Sequence, residues 1–322
     1  MNLILIAVLV LLAAPALLAL FTWLTARRVE AALPPQGRLI DVSGARLHIV
    51  EKGQGPAVLL IHGLSGQLCH FTYGVVDRLA HDYRVVVVDR PGSGYSVRSP
   101  GAAATLSAQA DVMAALIEAT QLGQPLVVGH SLGGAVALRL AQLHPQLVAG
   151  LALVAPLTHA PKDVPSAFDG LLIERPWVRT LVAWTLALPV LLLKRQLVLR
   201  LVFGPEPVPR DFATRGGGLL GVRPSHFVGA STDLHAVQHD LPALEQGYGS
   251  MRVPVHVLYG RSDGVLSPTA QGQNLTTALP GAQLTLVDGG HMLPVTQPAL
   301  TADFIRHVAR LVHAPEAPLD GA

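Results

Sequence analysis

The sequence predicts an α/β protein with a mostly parallel, doubly wound sheet and an inserted helical cap, preceded by one N-terminal transmembrane helix. Fully apolar strand-like runs alternate with helical segments, which is typical of a parallel sheet covered on both faces. The alternation breaks over residues 157–250, which contain helical and Gly/Pro-rich sequence without a convincing strand. Because 94 residues are far more than an ordinary connection needs, we expect a cap there.

Composition limits the class of protein. Half of the 322 residues are apolar and 14% are charged, and the mean hydropathy of +0.44 is high for a soluble enzyme, which indicates contact with lipid. The net charge of +2 is too small to suggest nucleic acid as a partner. The single cysteine, Cys69, excludes an intramolecular disulfide and a cysteine-rich zinc site, and it leaves the redox compartment open.

The apolar excess is concentrated at the N terminus. Leu3–Leu24 is a run of 22 residues without a charge, and roughly 33 Å of helix is enough to cross a hydrocarbon core. A cleaved signal peptide is the alternative, but the basic n-region is missing and the run is longer than a usual h-region. We expect residues 1–31 to form a single-pass anchor that contributes nothing to the globular fold. Arg27 and Arg28 favour a cytoplasmic domain after it.

The core is predicted in two parts on either side of the cap. After a proline-bearing linker at residues 32–37, residues 38–156 contain the strand-like runs RLIDV, RLHIVEKG, AVLLIHG, RVVVVDRPG, PLVVGH and VAGLALVAP, with helices over Leu106–Leu122 and SLGGAVALRLAQLHP. Residues 251–314 contain the strands VPVHVLYGRSD and AQLTLVDGGH, with helices near PTAQGQNLTTAL and ADFIRHVARLVHA. Residues 315–322 form a tail.

One stretch of the cap is strongly apolar. Thr180–Leu193 carries no charge and includes Trp184. Fourteen residues broken by Pro189 are too short to span a bilayer. They suit a buried cap helix, which is the interpretation we favour, or a helix that lies in the membrane interface.

A serine lies where a predicted strand turns into a predicted helix. In the G-x-S-x-G pattern around Ser131, a strained turn pushes the serine oxygen out at the carboxyl end of the sheet. Gly129 and Gly133 suit such a turn because side chains there would collide with the neighbouring strand and helix. The plain alternative is a serine that only caps the helix.

A serine hydroxyl is a poor nucleophile until a correctly oriented base accepts its proton. His291 follows a predicted strand, 160 positions after Ser131, and Asp263 follows another. A carboxylate at that place could hold the imidazole in the productive tautomer. Acyl transfer also needs backbone N–H groups that bind an oxyanion, and the candidates are the amides of Leu132 and of Leu64 in HGLSG.

Two other motifs carry weaker signals. DRPGSGYS lacks the lysine of a phosphate-binding loop, so Gly92 and Gly94 more simply permit a tight turn. Cys69 and His70 are adjacent in sequence, but no orienting partner is evident. We expect both of these residues to be structural.

The motifs HGLSG, DRPGSGYS, GHSLGG, GRSDGVLSP and GGHMLP stand in the order of the α/β-hydrolase superfamily, and the chain resembles a capped member of it over about residues 38–314. In such enzymes the serine, the acid after the seventh strand and the histidine after the eighth form a catalytic triad, which the resemblance transfers to Ser131, Asp263 and His291. Some relatives place the acid after the sixth strand, which would make Asp163 the candidate, but Asp263 lies in the better motif.

The resemblance implies a serine hydrolase that cleaves carboxylic esters or related acyl bonds through an acyl-enzyme, with no metal and no organic cofactor. The N-terminal run and the apolar cap add the expectation that the enzyme is membrane-anchored and acts on a small apolar substrate. Epoxide hydrolases and haloalkane dehalogenases have aspartate at the nucleophile position, so Ser131 argues against both. Thioester or carbon–carbon hydrolysis and cofactor-free peroxidation stay open, because the cap selects the leaving group. A non-catalytic ligand-binding relative is the alternative from another class. Such proteins usually lose a triad residue, and this chain keeps all three.

Overall fold

The computed structural model describes residues 3–161 and 165–313, with side chains from residue 13 onwards except at 166–167. The described residues form one sheet with strands β1 (Arg38–Val42), β2 (Ala45–Lys52), β3 (Ala57–Ile61), β4 (Arg84–Val88), β5 (Val97–Arg98), β6 (Leu126–His130), β7 (Gly150–Val154), β8 (Val255–Gly260) and β9 (Gln283–Val287). The order is β1-β2-β4-β3-β6-β7-β8-β9, and β5 pairs with β2. From β4 to β9 along this order all pairs are parallel, whereas β1, β2 and β5 pair antiparallel. The predicted α/β fold with a mostly parallel sheet is confirmed.

Helices cover both faces of the sheet. Their bounds are α1 (Leu3–Ala32), α2 (Cys69–Thr72), α3 (Val75–Leu79), α4 (Leu106–Ala119), α5 (Leu132–Leu143), α6 (Pro176–Trp184), α7 (Ala187–Phe203), α8 (Pro224–Gln246), α9 (Asn274–Ala278), α10 (Leu293–Thr296) and α11 (Pro298–Val312). Successive side chains of a strand point to opposite faces, so Leu59 and Ile61 of β3 pack with α4 and α5. Val58 and Leu60 pack with α3 and α11.

Helices α6, α7 and α8 form the cap between β7 and β8. The described residues of this stretch, 155–161 and 165–254, form helices and turns and contain no strand. Helix α8 joins the core, because its Leu234, Val237 and Leu241 are buried in the same cluster as α4 and α5. The cap is therefore packed onto the sheet's helical layer through α8.

The apolar stretch Thr180–Leu193 is not one buried helix. It is divided between α6 and α7, and its large side chains are mostly exposed, with Leu193 at 85%. Few of its residues are buried, and Ala183 and Leu188 are among them. The expectation of a buried cap helix is wrong for this stretch, because each helix has one side against the protein and one side with no described residue over it.

The C-terminal turns of α1 pack against the cap. Thr22 and Ala26 are buried, α1 lies against α6, and the Glu30 carboxylate is 3.8 Å from the guanidinium of Arg223. The structure thus differs from our expectation that residues 1–31 contribute nothing to the globular fold. Among the residues described, no helix has both the length and the apolar character needed to cross a membrane.

A buried ion pair joins the core to the cap. Arg90 is the second residue after β4 and is fully buried. Its Nη1 donates to Oδ2 of Asp233 on α8 at 2.6 Å and to Oε1 of Gln109 on α4 at 2.7 Å. The other oxygen of Asp233 accepts from Arg98 at 2.6 Å. Asp233 is itself fully buried, so it neutralises a guanidinium that water does not reach.

Replacing Asp233 tests how far the fold depends on this pair. Asp233→Asn keeps the shape but leaves Arg90 as an uncompensated buried charge, so the free energy of unfolding should fall by about 3–5 kcal/mol. Urea denaturation followed by far-ultraviolet circular dichroism measures the loss. The control is Asp303→Asn, which breaks the exposed pair with Arg306 and should cost no more than about 1 kcal/mol. Equal losses in the two variants would contradict the interpretation.

Candidate active site

Ser131 lies on a strained turn between β6 and α5. Its φ of 54° and ψ of −122° place a non-glycine residue in a region that side chains rarely adopt. A Cβ on Gly129 would lie 2.4 Å from the Gly133 carbonyl oxygen, and one on Gly133 would lie 2.2 Å from the Ile61 carbonyl oxygen of β3. Both glycines are needed for backbone to pass this closely. The Ser131 side chain forms no capping bond to α5, so the helix-cap alternative does not describe the hydroxyl.

Asp263 and His291 form a buried hydrogen-bonded pair. The first follows β8 and the second follows β9, and parallel neighbours bring their carboxyl ends to one edge of the sheet. His291 Nδ1 lies 2.7 Å from Asp263 Oδ2. Asp263 Oδ1 accepts from the amides of Val265 at 2.8 Å and Leu266 at 2.9 Å. Backbone amides thus hold one oxygen of the carboxylate in place, and its other oxygen contacts the imidazole.

This contact determines the tautomer of His291. An ionised carboxylate can only accept, so the ring proton lies on Nδ1 and the lone pair lies on Nε2. His291 and Ser131 line the same cavity. The imidazole is therefore a potential proton acceptor on its cavity side.

His130 packs against His291 and was not singled out by sequence reasoning. The two ring centroids are 4.9 Å apart, and His130 Nε2 lies 3.0 Å from the His291 carbonyl oxygen. Burial lowers the pKa of His130 well below its ordinary value, so its neutral ring donates through Nε2. The only local signal was its place beside Ser131 in the turn motif.

The loop after β3 brings Leu64 to the cavity. The Gly63 carbonyl accepts from His62 Nδ1 at 2.8 Å, Arg90 Nη2 at 2.9 Å and the Gly66 amide at 3.2 Å. The carbonyl and the following N–H of a trans peptide point in opposite directions, so the Leu64 amide points away from these donors. A Cβ on Gly63 would lie 2.8 Å from the Cβ of Ser131, which shows how closely this loop approaches the turn.

The candidate oxyanion amides are those of Leu64 and Leu132. Among the described residues, no acceptor takes a hydrogen bond from the N–H of Leu64 or of Leu132. Both residues line the cavity together with Ser131. The two amides can therefore receive an oxygen from a bound molecule.

His62 and Arg90 hold the loop rigidly. His62 Nε2 accepts from the Arg90 amide at 2.9 Å, and its Nδ1 donates to the Gly63 carbonyl. Burial is the main reason that the pKa of His62 is well below its ordinary value, with the Arg90 charge second. The ring is neutral and can donate and accept at once, which these two bonds require.

Asp89 organises the DRPGSGYS turn, a role that sequence reasoning missed by considering only its glycines. Asp89 Oδ1 accepts from the Leu68 amide at 2.7 Å, and Oδ2 accepts from the Tyr95 amide at 2.9 Å and from His48 Nδ1 at 2.7 Å. A Cβ on Gly94 would lie 2.0 Å from Asp89 Oδ2. The sequence did contain a signal for this role, since Asp89 and Arg90 are charged residues that come directly after a buried strand.

A cavity of about 530 Å³ connects these residues with the cap. It is lined by Ser131, His291, Leu64 and Leu132, and otherwise mainly by apolar side chains. The apolar lining includes Phe168, Val182, Leu199, Phe203, Phe212 and Val237. The structure thus brings four of the five sequence-predicted residues to one cavity, and Asp263 lies behind His291.

The polar lining includes His70 and His226. Burial lowers the pKa of each to about 4, so both rings are neutral near pH 7. Burial also raises the pKa of Cys69 to about 11, which agrees with a structural role for this thiol. Within the described ranges, no group of three or more His, Cys, Asp or Glu side chains is placed to hold a metal ion.

Comparisons with known proteins identify the family. A family model described as alpha/beta hydrolase fold matches residues 56–298. An uncharacterized protein of Mycobacterium tuberculosis is 31% identical over 288 residues, which cover 87% of this chain and 82% of the relative. A thermophilic esterase from Thermogutta terrifontis has a similar fold, with a TM-score of 0.66, 24% identity, and coverage of 86% of this chain and 100% of that one. A membrane phospholipase A has a TM-score of 0.66, 23% identity and 97% coverage of each chain. As its motifs predict, the chain belongs to the alpha/beta hydrolase family.

Proposed function

We propose that this hydrolase is a membrane-anchored serine esterase that cleaves carboxylic esters or related acyl bonds of apolar substrates. One observation carries the proposal: Ser131 on its strained turn and His291, held by Asp263, open into the same apolar cavity. A nucleophile, a base and an orienting acid are the parts that nucleophilic acyl transfer requires.

The first half of the reaction forms an acyl-enzyme. His291 Nε2 takes the proton of the Ser131 hydroxyl as Oγ attacks the substrate carbonyl carbon. The carbonyl oxygen becomes an oxyanion and accepts from the amides of Leu64 and Leu132, which have no other acceptor among the described residues. The tetrahedral intermediate then expels the alcohol, which receives the proton from His291.

The second half repeats these steps with water. His291 Nε2 removes a proton from water, whose oxygen attacks the acyl carbon, and the same two amides bind the second oxyanion. The carboxylic acid leaves as the proton returns to Ser131 Oγ. Asp263 keeps the imidazole oriented throughout and stabilises its charged form. The chemistry uses no metal and no organic cofactor.

The substrate class follows from the cavity and the N-terminal segment. The cavity is lined mainly by aliphatic and aromatic side chains, so it favours an apolar acyl chain. The anchor is supported by the sequence, in which Leu3–Leu24 carries no charge. Arg27 and Arg28, exposed after this run, favour a single-pass topology with a cytoplasmic domain.

Labelling with a fluorophosphonate tests the nucleophile directly. The wild-type chain should become covalently labelled, and Ser131→Ala should not, because the probe requires an activated serine. His291→Ala should label far more slowly, since its serine has lost the base. Equal labelling of wild type and Ser131→Ala would contradict the proposal.

Turnover should depend on Ser131 and His291 as a unit. Ser131→Ala and His291→Ala should each lower kcat on a p-nitrophenyl ester by roughly four to six orders of magnitude, and the double variant should be hardly worse. Thermal melts of the three variants should resemble that of the wild type, which separates lost chemistry from lost fold. Near-normal hydrolysis by purified Ser131→Ala would remove the triad hypothesis.

The acid should be Asp263. Asp263→Asn removes the acceptor that fixes the His291 tautomer, so kcat should fall roughly 10⁴-fold. The rival, Asp163, lies outside the described residues, and Asp163→Asn should remain nearly normal. Steady-state kinetics of the two variants decide between them, and the reverse ranking would overturn the assignment.

Acyl-chain length should affect specificity. Each additional methylene that the cavity buries contributes about 0.8 kcal/mol, which is up to about fourfold in kcat/KM. We therefore expect kcat/KM to rise from the acetyl ester to medium or long acyl esters until the cavity is full. The measurement is a p-nitrophenyl series kept below the micelle threshold. A steady fall from the acetyl ester onwards would contradict an apolar substrate and leave the triad untouched.

A further inference from the structure

Three neighbouring helices expose apolar stripes on the outside of the cap. On α6 the stripe has the spacing i, i+4, i+7, and Leu186, Val190, Leu193 and Leu197 continue it at and along α7, so each stripe lies along one side of its helix. Trp23 and Leu192 are exposed next to these stripes. The exposed members are Leu17, Leu20, Phe21, Trp23 and Leu24 on α1, Trp177, Leu181 and Trp184 on α6, and Leu186, Val190, Leu192, Leu193 and Leu197 at and along α7. We call this set the cap face.

The cap face is one neighbourhood of the molecule. Helix α6 lies against both α1 and α7, so the three stripes belong to adjoining helices. All three tryptophans of the chain, Trp23, Trp177 and Trp184, are in it. Monomeric soluble proteins rarely expose apolar patches formed by several adjoining elements, and tryptophan is enriched where protein meets the headgroup layer of a membrane.

The charged residues of α6 and α7 have one sign. Between Glu174 and Glu206, which flank the two helices, the chain contains no acidic residue. Lys194, Arg195 and Arg200 are exposed on α7. An apolar helix surface accompanied only by basic residues is complementary to a bilayer that contains anionic lipid.

A second copy of the chain fits this surface less well than lipid does. In a two-fold contact the same patch meets itself, so α7 would bring its basic side chains against those of the other copy, and α6 and α7 carry no carboxylate to compensate them. A bilayer supplies both an apolar interior and anionic headgroups. The face is also continuous with α1, whose uncharged N-terminal run the proposed function places in lipid.

The cap face also borders the cavity. Leu186 and Val190 line the cavity that contains Ser131, yet they are 52% and 44% exposed. Lys194 likewise lines the cavity and is exposed. The cavity therefore reaches the surface among the residues of the cap face.

We propose that the cap face is a lipid-binding surface, which seats α6 and α7 in the headgroup layer of an anionic phospholipid bilayer and opens the Ser131 cavity towards the lipid. An apolar substrate then passes from the bilayer between Leu186 and Val190 to Ser131 without crossing water. The entry route and the argument from α1 rest on the proposed function, whereas the exposed tryptophans and leucines and the basic residues of α7 support lipid contact without it.

Quenching of a single tryptophan tests the contact in the full chain. Trp23→Phe and Trp184→Phe together leave Trp177, which is 64% exposed, as the single tryptophan of the chain. The probe is phosphatidylcholine brominated in its acyl chains, in vesicles with and without phosphatidylglycerol. We expect loss of Trp177 emission relative to non-brominated vesicles, with a larger loss when phosphatidylglycerol is present. Arg200→Ala, which removes an exposed basic residue on the same side of α7 as Leu193 and Leu197, should weaken binding of the face to the anionic vesicles about fivefold.

A matched pair of variants assigns the quenching to the cap face. Leu193→Glu combined with Leu197→Glu should restore Trp177 emission, because carboxylates replace two of its exposed leucines, neither of which lines the cavity. Leu311→Glu is the control, since Leu311 is 50% exposed on α11 outside the cap. It should leave quenching unchanged. All variants should hydrolyse a water-soluble short ester at the wild-type kcat/KM.

The outcomes separate the inference from the proposed function. Unquenched Trp177 in a chain that floats with vesicles would overturn the lipid contact of the cap and leave the anchor standing. A dimer in solution that Leu193→Glu with Leu197→Glu converts to a monomer, without quenching in vesicles, would assign the face to a second copy and overturn the inference. Quenching with no hydrolysis of any ester would keep the lipid contact and remove the proposed function.

Discussion

The buried charge of Arg90 is the constraint on which the site and the cap depend. Its guanidinium has no exposed surface and donates to the carbonyl oxygens of His62 and Gly63, to Gln109 and to Asp233. A guanidinium in this position is stable only when its charge is compensated and its donors are used. The compensating carboxylate, Asp233, comes from cap helix α8. Arg90 also fixes the Gly63 carbonyl, and the amide of the same peptide belongs to Leu64, which lines the cavity. The same interaction therefore orients a candidate oxyanion donor and holds the cap to the core.

The parallel sheet explains why residues distant in sequence meet. Strands β6, β8 and β9 run in one direction, so the residues that follow them gather at the carboxyl edge, where Ser131, Asp263 and His291 lie. Their side chains are fixed by local backbone contacts: the strained turn for Ser131 and two amides for Asp263. Ligands of open α/β sheets bind in the crevice outside the carboxyl ends of the strands, which another part of the chain can cover. Here the cover is α6 and α7, which line the cavity on their inner sides.

Local patterns predict most of the core and part of the site. Apolar runs predict the longer strands, because a strand buried on both faces must be apolar along its whole length. They do not predict β5, which has two residues, or the short helices α2 and α3. Ser131, Asp263 and His291 each follow a strand within a recognisable motif. Arg90, by contrast, binds partners 19 to 143 positions away, and no local pattern records which carboxylate it will meet.

Composition counts apolar residues but does not show whether they face the protein or the outside. In α7, apolar residues face both ways. A helix that is apolar on all sides is stable in a protein core or in lipid. The outer surface of α7 has no described protein over it and is only partly polar, because Leu193 and Leu197 are exposed among basic residues while Leu199 and Val202 line the cavity. The inner side is explained by an apolar ligand site. The outer side requires a second apolar environment, and the basic residues beside it are those that an anionic bilayer would satisfy. The high mean hydropathy thus has a second source in the cap, next to the mouth of the cavity, where contact with lipid would bring an apolar substrate to Ser131.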